Sequence, residues 1–240
     1  MLKARFRNGE GLETGEVVGE EIEFDGESLH VDSVDVQPPS DPSKVVCVGK
    51  NYRDHARELD TTVPDFPLLF LKPPSSVIGA FDEIIYPDST VNLHYEGELA
   101  LVIGEDCRGV EESDALDYVA GYTCLNDVTA RDWQDRENQW TRAKGMDTFC
   151  PIGPYLQTDL SEIGDRDVIT RVNGEEVQRS NTQKMVFSPR ELVSEVSEYM
   201  TLREGDILAT GTPEGVGALE RGDVVGVEVE GAGTLLNEVV

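Results

Sequence analysis

Short apolar runs bounded by glycine, proline or aspartate are the feature of this chain that most restricts its fold. The runs predict β-strands at 45–48, 68–71, 99–103, 119–124, 206–210 and 224–229. The Asn173-Gly174 pair stands between two further strand-like segments and predicts the tight turn of a β-hairpin. Many short strands with few helices are typical of a mixed, β-rich α+β fold with peripheral helices.

Helix signals are fewer than strand signals. Ser188-Pro189-Arg190-Glu191 is a capping box with proline at the first helical position. Apolar residues within 192–200 recur on one face of the helix that follows, and Gly205 stands beyond its end. A second helix is predicted over 128–136, and a short helical turn over 53–59.

The composition changes near residue 43. Residues 1–36 alternate short apolar segments with glycine-rich turns, as a small strand-rich appendage would, and the proline-rich segment 38–43 predicts a linker. We therefore expect an N-terminal region and linker over 1–43 and a main domain over 44–240. With 38% hydrophobic residues, the chain of 240 residues can bury a sizeable core without disulfides.

The charge of the chain excludes some partners. Lys and Arg number 20 against 48 Asp and Glu, a net charge of −28, which disfavours nucleic acid and anionic membranes as principal partners. The acids are dispersed, which is typical of a protein adapted to high salt. No apolar run approaches spanning length, so we expect a cytoplasmic protein. Four widely spaced cysteines are predicted to be buried free thiols: Cys47, Cys107, Cys124 and Cys150.

Two glutamates, Glu96 and Glu98, stand two residues apart directly before the apolar run 99–103. At that spacing both side chains point to one face of a strand, where two carboxylates repel unless a cation lies between them. A third acid, Asp127, follows the predicted strand 119–124. Three oxygen ligands favour Mg²⁺, Mn²⁺ or Ca²⁺ over zinc. The alternative is that Glu96 and Glu98 are solvent-facing acids of a very acidic protein.

His55 and Glu58 are candidates for acid–base chemistry. Three residues apart on a helical turn, they share a face, so the carboxylate can orient the imidazole and raise its basicity toward water. The alternative is an ordinary surface contact. Lys144, in a glycine- and proline-containing loop, could balance an oxyanion, or it is a surface lysine or an ion-pair partner. The glycine-rich segment 211–217 lacks the ending of a phosphate-binding loop.

Six segments occur in an order that resembles a known family. They are Gly49-Lys50-Asn51-Tyr52 with His55 and Glu58, Phe70-Leu71-Lys72-Pro73, Glu96-Gly97-Glu98, Asn126 to Asp132, Lys144 to Thr148, and Gly211-Thr212-Pro213. Over about 44–240 the chain resembles the fumarylacetoacetate hydrolase family, in the branch with acylpyruvate hydrolases and 2-hydroxyhepta-2,4-diene-1,7-dioate isomerases. The resemblance implies a β-roll with peripheral helices and a homodimer.

The resemblance also implies roles for individual residues. The implied metal ligands are Glu96, Glu98 and Asp127. The implied catalytic residues are the water-activating pair His55 and Glu58 and the oxyanion-stabilising Lys144. The implied substrate-binding residues are Arg131, Gln134 and, for the substrate carboxylate, Thr212. The implied ligands are a 2-oxo acid and Mg²⁺ or Mn²⁺, and the residue chemistry also admits Ca²⁺.

These roles predict a divalent-metal-dependent hydrolase that cleaves a carbon–carbon bond in acylpyruvate-like or fumarylacetoacetate-like 2-oxo acids. One alternative is an isomerase, tautomerase or decarboxylase of 2-oxo diacids that uses the same site. The other is a catalytically silent scaffold that binds a metal ion and a 2-oxo acid. Retention of His55, Glu58 and Lys144 together argues against the silent scaffold, since metal binding alone needs only the three acids.

Overall fold

The computed structural model describes residues 1–9, 11–58 and 65–240, and its secondary structure is dominated by strands. The strands are β1 (Leu2–Asn8), β2 (Gly11–Val18), β3 (Glu21–Phe24), β4 (Glu27–His30), β5 (Asp35–Gln37), β6 (Val45–Gly49), β7 (Leu68–Lys72), β8 (Val77–Ile78), β9 (Leu93–Tyr95), β10 (Gly97–Ile103), β11 (Val119–Asn126), β12 (Thr129–Ala130), β13 (Cys150–Gln157), β14 (Asp167–Val172), β15 (Glu175–Asn181), β16 (Ile207–Ala209), β17 (Gly217–Ala218), β18 (Val224–Val229) and β19 (Gly233–Glu238).

Helices are short and few among the described residues. The α-helices are α1 (Arg53–Glu58), α2 (Arg131–Gln134), α3 (Thr141–Lys144) and α4 (Pro189–Tyr199), and the 3₁₀ helices are Val31–Ser33, Pro74–Ser76, Glu112–Tyr118 and Thr182–Lys184. No helix in this part of the chain is long and apolar enough to cross a membrane.

The strands form three sheets. The largest runs in the order β4-β3-β2-β1-β13-β11-β10-β16-β6-β7, with β5 beside β1 and β8 beside β13. A second sheet has the order β15-β14-β18-β19, and a small one joins β12, β9 and β17. The pairs β6–β16 and β8–β13 are parallel, and the other pairs between these strands are antiparallel. The mixed, β-rich fold predicted from the apolar runs is therefore confirmed.

The N-terminal strands extend the largest sheet. Strand β1 pairs with β13, with Leu2 opposite Gln157, and also with β2 and β5. Ala4, Phe6 and Ile22 form a separate small core there. The division of the chain into domains at residue 43 stays a prediction.

Strand β10 is buried on both faces and separates two cores. Leu99, Leu101 and Ile103 pack toward β14, β18 and α4, whereas Ala100 and Val102 pack toward β6, β13 and β16. Because side chains alternate along a strand, residue 98 lies on the same face as residues 100 and 102. The strand therefore directs a glutamate into the interior.

Local signals predicted some elements correctly. Helix α4 begins at the predicted capping box, where Ser188 accepts a hydrogen bond from the backbone N–H of Glu191 and the Glu191 carboxylate accepts one from the backbone N–H of Ser188. Asn173 and Gly174, both at positive φ, connect β14 to β15 as predicted. All four cysteines are buried and free.

The helix predicted over 128–136 is wrong over its first three residues and its last two. Thr129 and Ala130 form β12, which pairs with β9, and α2 covers only Arg131–Gln134. Helical periodicity is a local signal, and here the long-range pairing with β9 takes the backbone hydrogen bonds instead. Helix α1 covers Arg53–Glu58 of the helical turn predicted over 53–59, and residue 59 lies outside the described residues.

Asp206 holds the start of β6 against the turn before β16. Its Oδ1 accepts hydrogen bonds from the backbone N–H and hydroxyl of Ser43, at 3.0 and 2.7 Å, and from the backbone N–H of Lys44 at 3.1 Å. Its Oδ2 accepts one from the backbone N–H of Arg203 at 2.8 Å and pairs with the Lys44 ammonium. Burial raises the pKa of Asp206, but the hydrogen bonds, above all that from Lys44, outweigh it and lower the pKa.

We expect Asp206→Asn to reduce the free energy of unfolding by about 2–3 kcal/mol, because buried donors lose their charged acceptor. Since the native pKa lies below the unfolded value of about 3.9, the carboxylate stabilises the fold above that pH. This contribution disappears as the pH falls through the native pKa. Urea unfolding from pH 3 to 7 measures the difference. The control Asp117→Asn, which removes an exposed acid, should change little; equal effects of both variants would contradict the prediction.

Candidate metal and catalytic site

The three acids predicted to bind a metal converge inside the protein. Glu96 lies between β9 and β10, Glu98 lies in β10, and Asp127 follows β11. They are 6%, 1% and 1% exposed, and one carboxylate oxygen from each lies within 4.8 Å of the others. This burial excludes the alternative, left open by the sequence, that Glu96 and Glu98 are solvent-facing acids.

Backbone pairing brings the acids together. Gly97 pairs with Asn126 across β10 and β11, the backbone N–H of Asp127 donates to the Glu96 carbonyl at 2.8 Å, and the Asn126 side chain accepts from the Glu96 N–H at 3.0 Å. Only glycine fits between the two glutamates, because a Cβ atom there would clash with Oγ1 of buried Thr170.

Three cationic side chains surround the acids. Lys144 Nζ lies 2.8 Å from Glu96 Oε2 and 2.6 Å from Asp127 Oδ2. Lys72 Nζ lies 2.7 Å from Asp127 Oδ1, and Arg131 Nη2 lies 2.6 Å from Glu96 Oε1. Lys144 is thus an ion-pair partner, one of the alternatives open from sequence, and it is buried rather than on the surface.

The three carboxylates differ in their electrostatics. Burial, followed by the charges of Asp127 and Glu96, raises the pKa of Glu98 well above its ordinary value, although the Gly211 N–H donates to Glu98 Oε2 at 2.7 Å. Burial also raises the pKa of Glu96, but the charges of Lys144 and Arg131, together with the hydrogen bond from Lys144, outweigh it and the net pKa is lowered. Negative charge is therefore least compensated at Glu98.

This donor set fits a hard divalent cation. Mg²⁺ and Ca²⁺ bind oxygen ligands at about 2.0–2.6 Å, so two ligands of one ion lie at most about 4–5 Å apart. The carboxylate oxygens of Glu96, Glu98 and Asp127 meet this limit, being within 4.8 Å of one another. Three carboxylates without sulfur or imidazole favour Mg²⁺, Mn²⁺ or Ca²⁺.

His55 and Glu58 form the predicted pair on α1. His55 is 4% exposed, and its Nδ1 lies 3.1 Å from Glu58 Oε2. Both Glu58 oxygens also accept from the backbone N–H of Gly215, at 3.1 and 3.2 Å. Within residues 1–9, 11–58 and 65–240, Nε2 of His55 has no hydrogen-bonding partner. The imidazole is therefore anchored on one side and available on the other, which is not an ordinary surface contact.

One cavity of about 260 Å³ collects most of the predicted site residues. Those that line it are His55, Glu96, Asp127, Arg131, Gln134, Lys144 and Thr212. The other two do not line it: Glu58 contacts His55, and Glu98 completes the acidic cluster. The cavity thus joins the acidic cluster to the imidazole.

The three residues predicted to bind substrate have protein partners. The Thr212 hydroxyl donates to the Gly97 carbonyl at 3.0 Å and accepts from Gln178 Nε2 at 3.0 Å. Arg131 Nη1 donates to the Gln134 side chain. A ligand would therefore meet side chains that are already held in place.

Two buried residues that organise the site have no role in the sequence-based prediction. Lys72 Nζ donates to the carbonyls of Val128, Lys144 and Phe149 at 3.1, 2.6 and 2.7 Å. Gln178 Oε1 accepts from the backbone N–H between the two glutamates at 3.1 Å. The position of Lys72 at the end of an apolar strand is a sequence signal for its role. For Gln178, the alternation of side chains along β15 is a weaker signal.

The mixed β fold places a buried cluster of three carboxylates, suited to a hard cation, beside a histidine–glutamate pair. This combination defines the class of the site, a candidate metal centre next to an acid–base pair. The model of the family described as fumarylacetoacetate (FAA) hydrolase, C-terminal, matches residues 44–240. The chain belongs to this family.

Named relatives are enzymes of several kinds. Human mitochondrial oxaloacetate tautomerase FAHD2A is 44% identical over 214 residues, covering 85% of this chain and 68% of the relative. The crystal structure of 5-carboxymethyl-2-hydroxymuconate delta-isomerase from Mycobacterium smegmatis matches with a TM-score of 0.92 at 43% identity, covering 100% of this chain and 98% of that one. Fumarylpyruvate hydrolase from Pseudomonas aeruginosa, in complex with Mn²⁺ and pyruvate, matches with a TM-score of 0.80 at 36% identity, covering 85% and 91%.

Proposed function

We propose that the protein is a divalent-metal-dependent hydrolase that cleaves a carbon–carbon bond in acylpyruvate-like or fumarylacetoacetate-like 2-oxo acids. The observation that carries the proposal is the convergence of three buried carboxylates and an anchored histidine–glutamate pair at one cavity. The hydrolase from Pseudomonas aeruginosa, whose structure contains Mn²⁺ and pyruvate, supports it.

In this proposal Glu96, Glu98 and Asp127 hold Mg²⁺ or Mn²⁺, with Ca²⁺ as a third candidate. When bound, the ion supplies a Lewis acid that polarises the oxygens of a 2-oxo acid. Nε2 of His55 removes a proton from water, and Glu58 stabilises the resulting imidazolium through Nδ1.

The remaining residues act on the substrate. The activated water forms a bond to the distal carbonyl carbon, and Lys144 stabilises the oxyanion that develops there. Cleavage of the adjacent carbon–carbon bond releases one carboxylic acid, while the pyruvate portion takes a proton at its terminal carbon. Arg131, Gln134 and Thr212 orient the substrate.

A second candidate function uses the same residues without attack by water. Isomerisation or tautomerisation of 2-oxo diacids needs proton transfer, and decarboxylation needs only the polarised 2-oxo group. The human tautomerase relative and the mycobacterial isomerase structure favour this candidate. Both functions require the metal site and differ in whether His55 activates water.

Turnover assays distinguish the candidates. We expect release of pyruvate from acetylpyruvate and fumarylpyruvate with Mg²⁺ or Mn²⁺, and its loss on chelation by EDTA. The contrary result is metal-dependent tautomerisation or decarboxylation of oxaloacetate without hydrolysis of either acylpyruvate. That result would contradict the hydrolase proposal and support the second candidate function. The high-salt adaptation inferred from charge stays a prediction, so the assays should cover low and molar salt.

We also propose that the protein is a homodimer. Segment 81–86 hydrogen-bonds to the last strand, with the Phe81 N–H donating to the Leu236 carbonyl at 2.7 Å. Phe81, Ile85 and Leu236 carry exposed apolar side chains along this edge. A second copy of the chain would remove this apolar surface from water.

A further inference from the structure

We infer that the Tyr95 hydroxyl positions the His55–Glu58 pair by holding the backbone of Gly215. This inference rests on the proposed function, because it takes His55 as the base that activates water. Tyr95 does not line the cavity, so it is a positioning residue that acts through the pair and not on the ligand. The inference is supported by a series of hydrogen bonds, by the packing of the Tyr95 ring and by the anchoring of segment 211–217.

A series of hydrogen bonds connects Tyr95 to the imidazole. The Tyr95 hydroxyl donates to the Gly215 carbonyl at 2.9 Å. The Gly215 N–H donates to both oxygens of Glu58, at 3.1 and 3.2 Å, and Glu58 Oε2 lies 3.1 Å from Nδ1 of His55. The Glu58 side chain is 36% exposed, and among the described residues it contacts only this N–H and the imidazole through hydrogen bonds. The position of the carboxylate therefore depends on where Gly215 lies.

The Tyr95 ring is fixed beside this backbone. Tyr95 is 5% exposed and pairs with Gly217 across β9 and β17. A Cβ atom at residue 217 would lie 2.7 Å from the Tyr95 hydroxyl oxygen, which is closer than packed atoms approach, so the glycine leaves room for the ring. Strand pairing thus directs the hydroxyl at the Gly215 carbonyl.

Other contacts hold segment 211–217 at its start. The Gly211 N–H donates to Glu98 at 2.7 Å, and Gln178 Nε2 donates to the carbonyls of residues 213 and 214 at 2.9 and 3.4 Å. These contacts precede the glycine that binds the carboxylate of the pair, whereas the tyrosine hydroxyl binds that glycine itself. Removal of the hydroxyl should therefore loosen the glycine without releasing the acidic cluster.

Tyr95→Phe removes the hydroxyl and keeps the ring. We expect kcat for acetylpyruvate hydrolysis with Mg²⁺ to fall about 10-fold while KM stays within about twofold, because the pair contributes to the chemical step and not to ligand binding. Mg²⁺ affinity, measured by calorimetry, should not change. The control Tyr122→Phe removes a similar bond, from a buried hydroxyl to the Glu230 carbonyl at 3.0 Å, outside the cavity. It should match the loss of melting temperature and leave kcat unchanged.

Glu58→Ala tests whether Tyr95 acts through the carboxylate. In that background no carboxylate remains to be held, so adding Tyr95→Phe should reduce hydrolysis by less than about twofold. A further loss as large as that in the wild-type background would overturn the inference, because Tyr95 would then act independently of Glu58. Equal losses of kcat in Tyr95→Phe and Tyr122→Phe would also overturn it.

NMR of the imidazole tests the positioning without turnover. The chain has three histidines, so the ring signals of His55 are assigned by their absence in His55→Ala. We expect the Nδ1 proton of His55 to exchange with water faster in Tyr95→Phe than in the wild-type protein or in Tyr122→Phe, because its acceptor is less firmly held. Unchanged exchange would overturn the inference. If the wild-type protein does not hydrolyse acetylpyruvate, the proposed function fails, and this measurement still decides whether Tyr95 positions the pair.

Discussion

Glu98→Gln is expected to weaken Mg²⁺ binding by at least about 100-fold and to abolish metal-dependent turnover. The wild-type cluster sets three carboxylates against the three cations Lys72, Lys144 and Arg131. The variant leaves two carboxylates against the same three cations, so an incoming Mg²⁺ would meet a net positive site. Calorimetric titration with Mg²⁺ measures the affinity.

The fold should tolerate this change. A glutamine oxygen at position 98 can still accept the hydrogen bond from the Gly211 N–H. Burial and the neighbouring acids raise the pKa of Glu98, because they disfavour the charged form of its side chain. The control Glu83→Gln removes an exposed glutamate and should leave Mg²⁺ affinity unchanged. If Glu98→Gln bound Mg²⁺ with the affinity of the wild-type protein, Glu98 would not be a metal ligand.

His55→Ala is expected to reduce hydrolysis of acetylpyruvate by about 10²- to 10⁴-fold, the usual contribution of a positioned general base. Mg²⁺ affinity should change little, because His55 is not among the proposed ligands. Decarboxylation of oxaloacetate needs no activated water, so the variant should retain a larger share of that activity. Parallel kinetics on the two substrates give the ratio.

Two other variants test whether the effect is specific to the His55–Glu58 pair. Glu58→Gln should lower hydrolysis less than His55→Ala, because the imidazole keeps a hydrogen-bonding partner and loses only the negative charge beside it. His30→Ala removes an exposed histidine that does not line the cavity and should have no effect on either reaction. If His55→Ala reduced both reactions equally, His55 would not act specifically on water.

The sequence predicted those elements whose signals are local. The apolar run 224–229 coincides with β18, and the capping box at Ser188 begins α4, because alternation and capping depend on residues a few positions apart. The helix predicted over 128–136 is wrong at its start because Thr129 and Ala130 pair with β9, about 35 residues earlier in the chain. Local periodicity contains no information about such a partner.

In the candidate site, too, the sequence predicted what depends on local signals and missed what depends on distant contacts. Residue type and spacing identified Glu96, Glu98 and Asp127 as a possible oxygen-ligand cluster, and the family resemblance supplied roles that stay predictions. Neither identified Lys72 as a contact of Asp127, since that contact spans 55 positions and depends on the packing of β7 against the site.

By itself, the sequence determined the β-rich class, the family and the residue types available for a hard cation, because these follow from composition, short-range patterns and motif order. Only the tertiary structure decided that the acids are buried and that three cations balance them. Burial and charge balance depend on which distant segments pack together. Strand pairing and core packing bring those segments into contact, so these properties emerge only when the whole chain is folded.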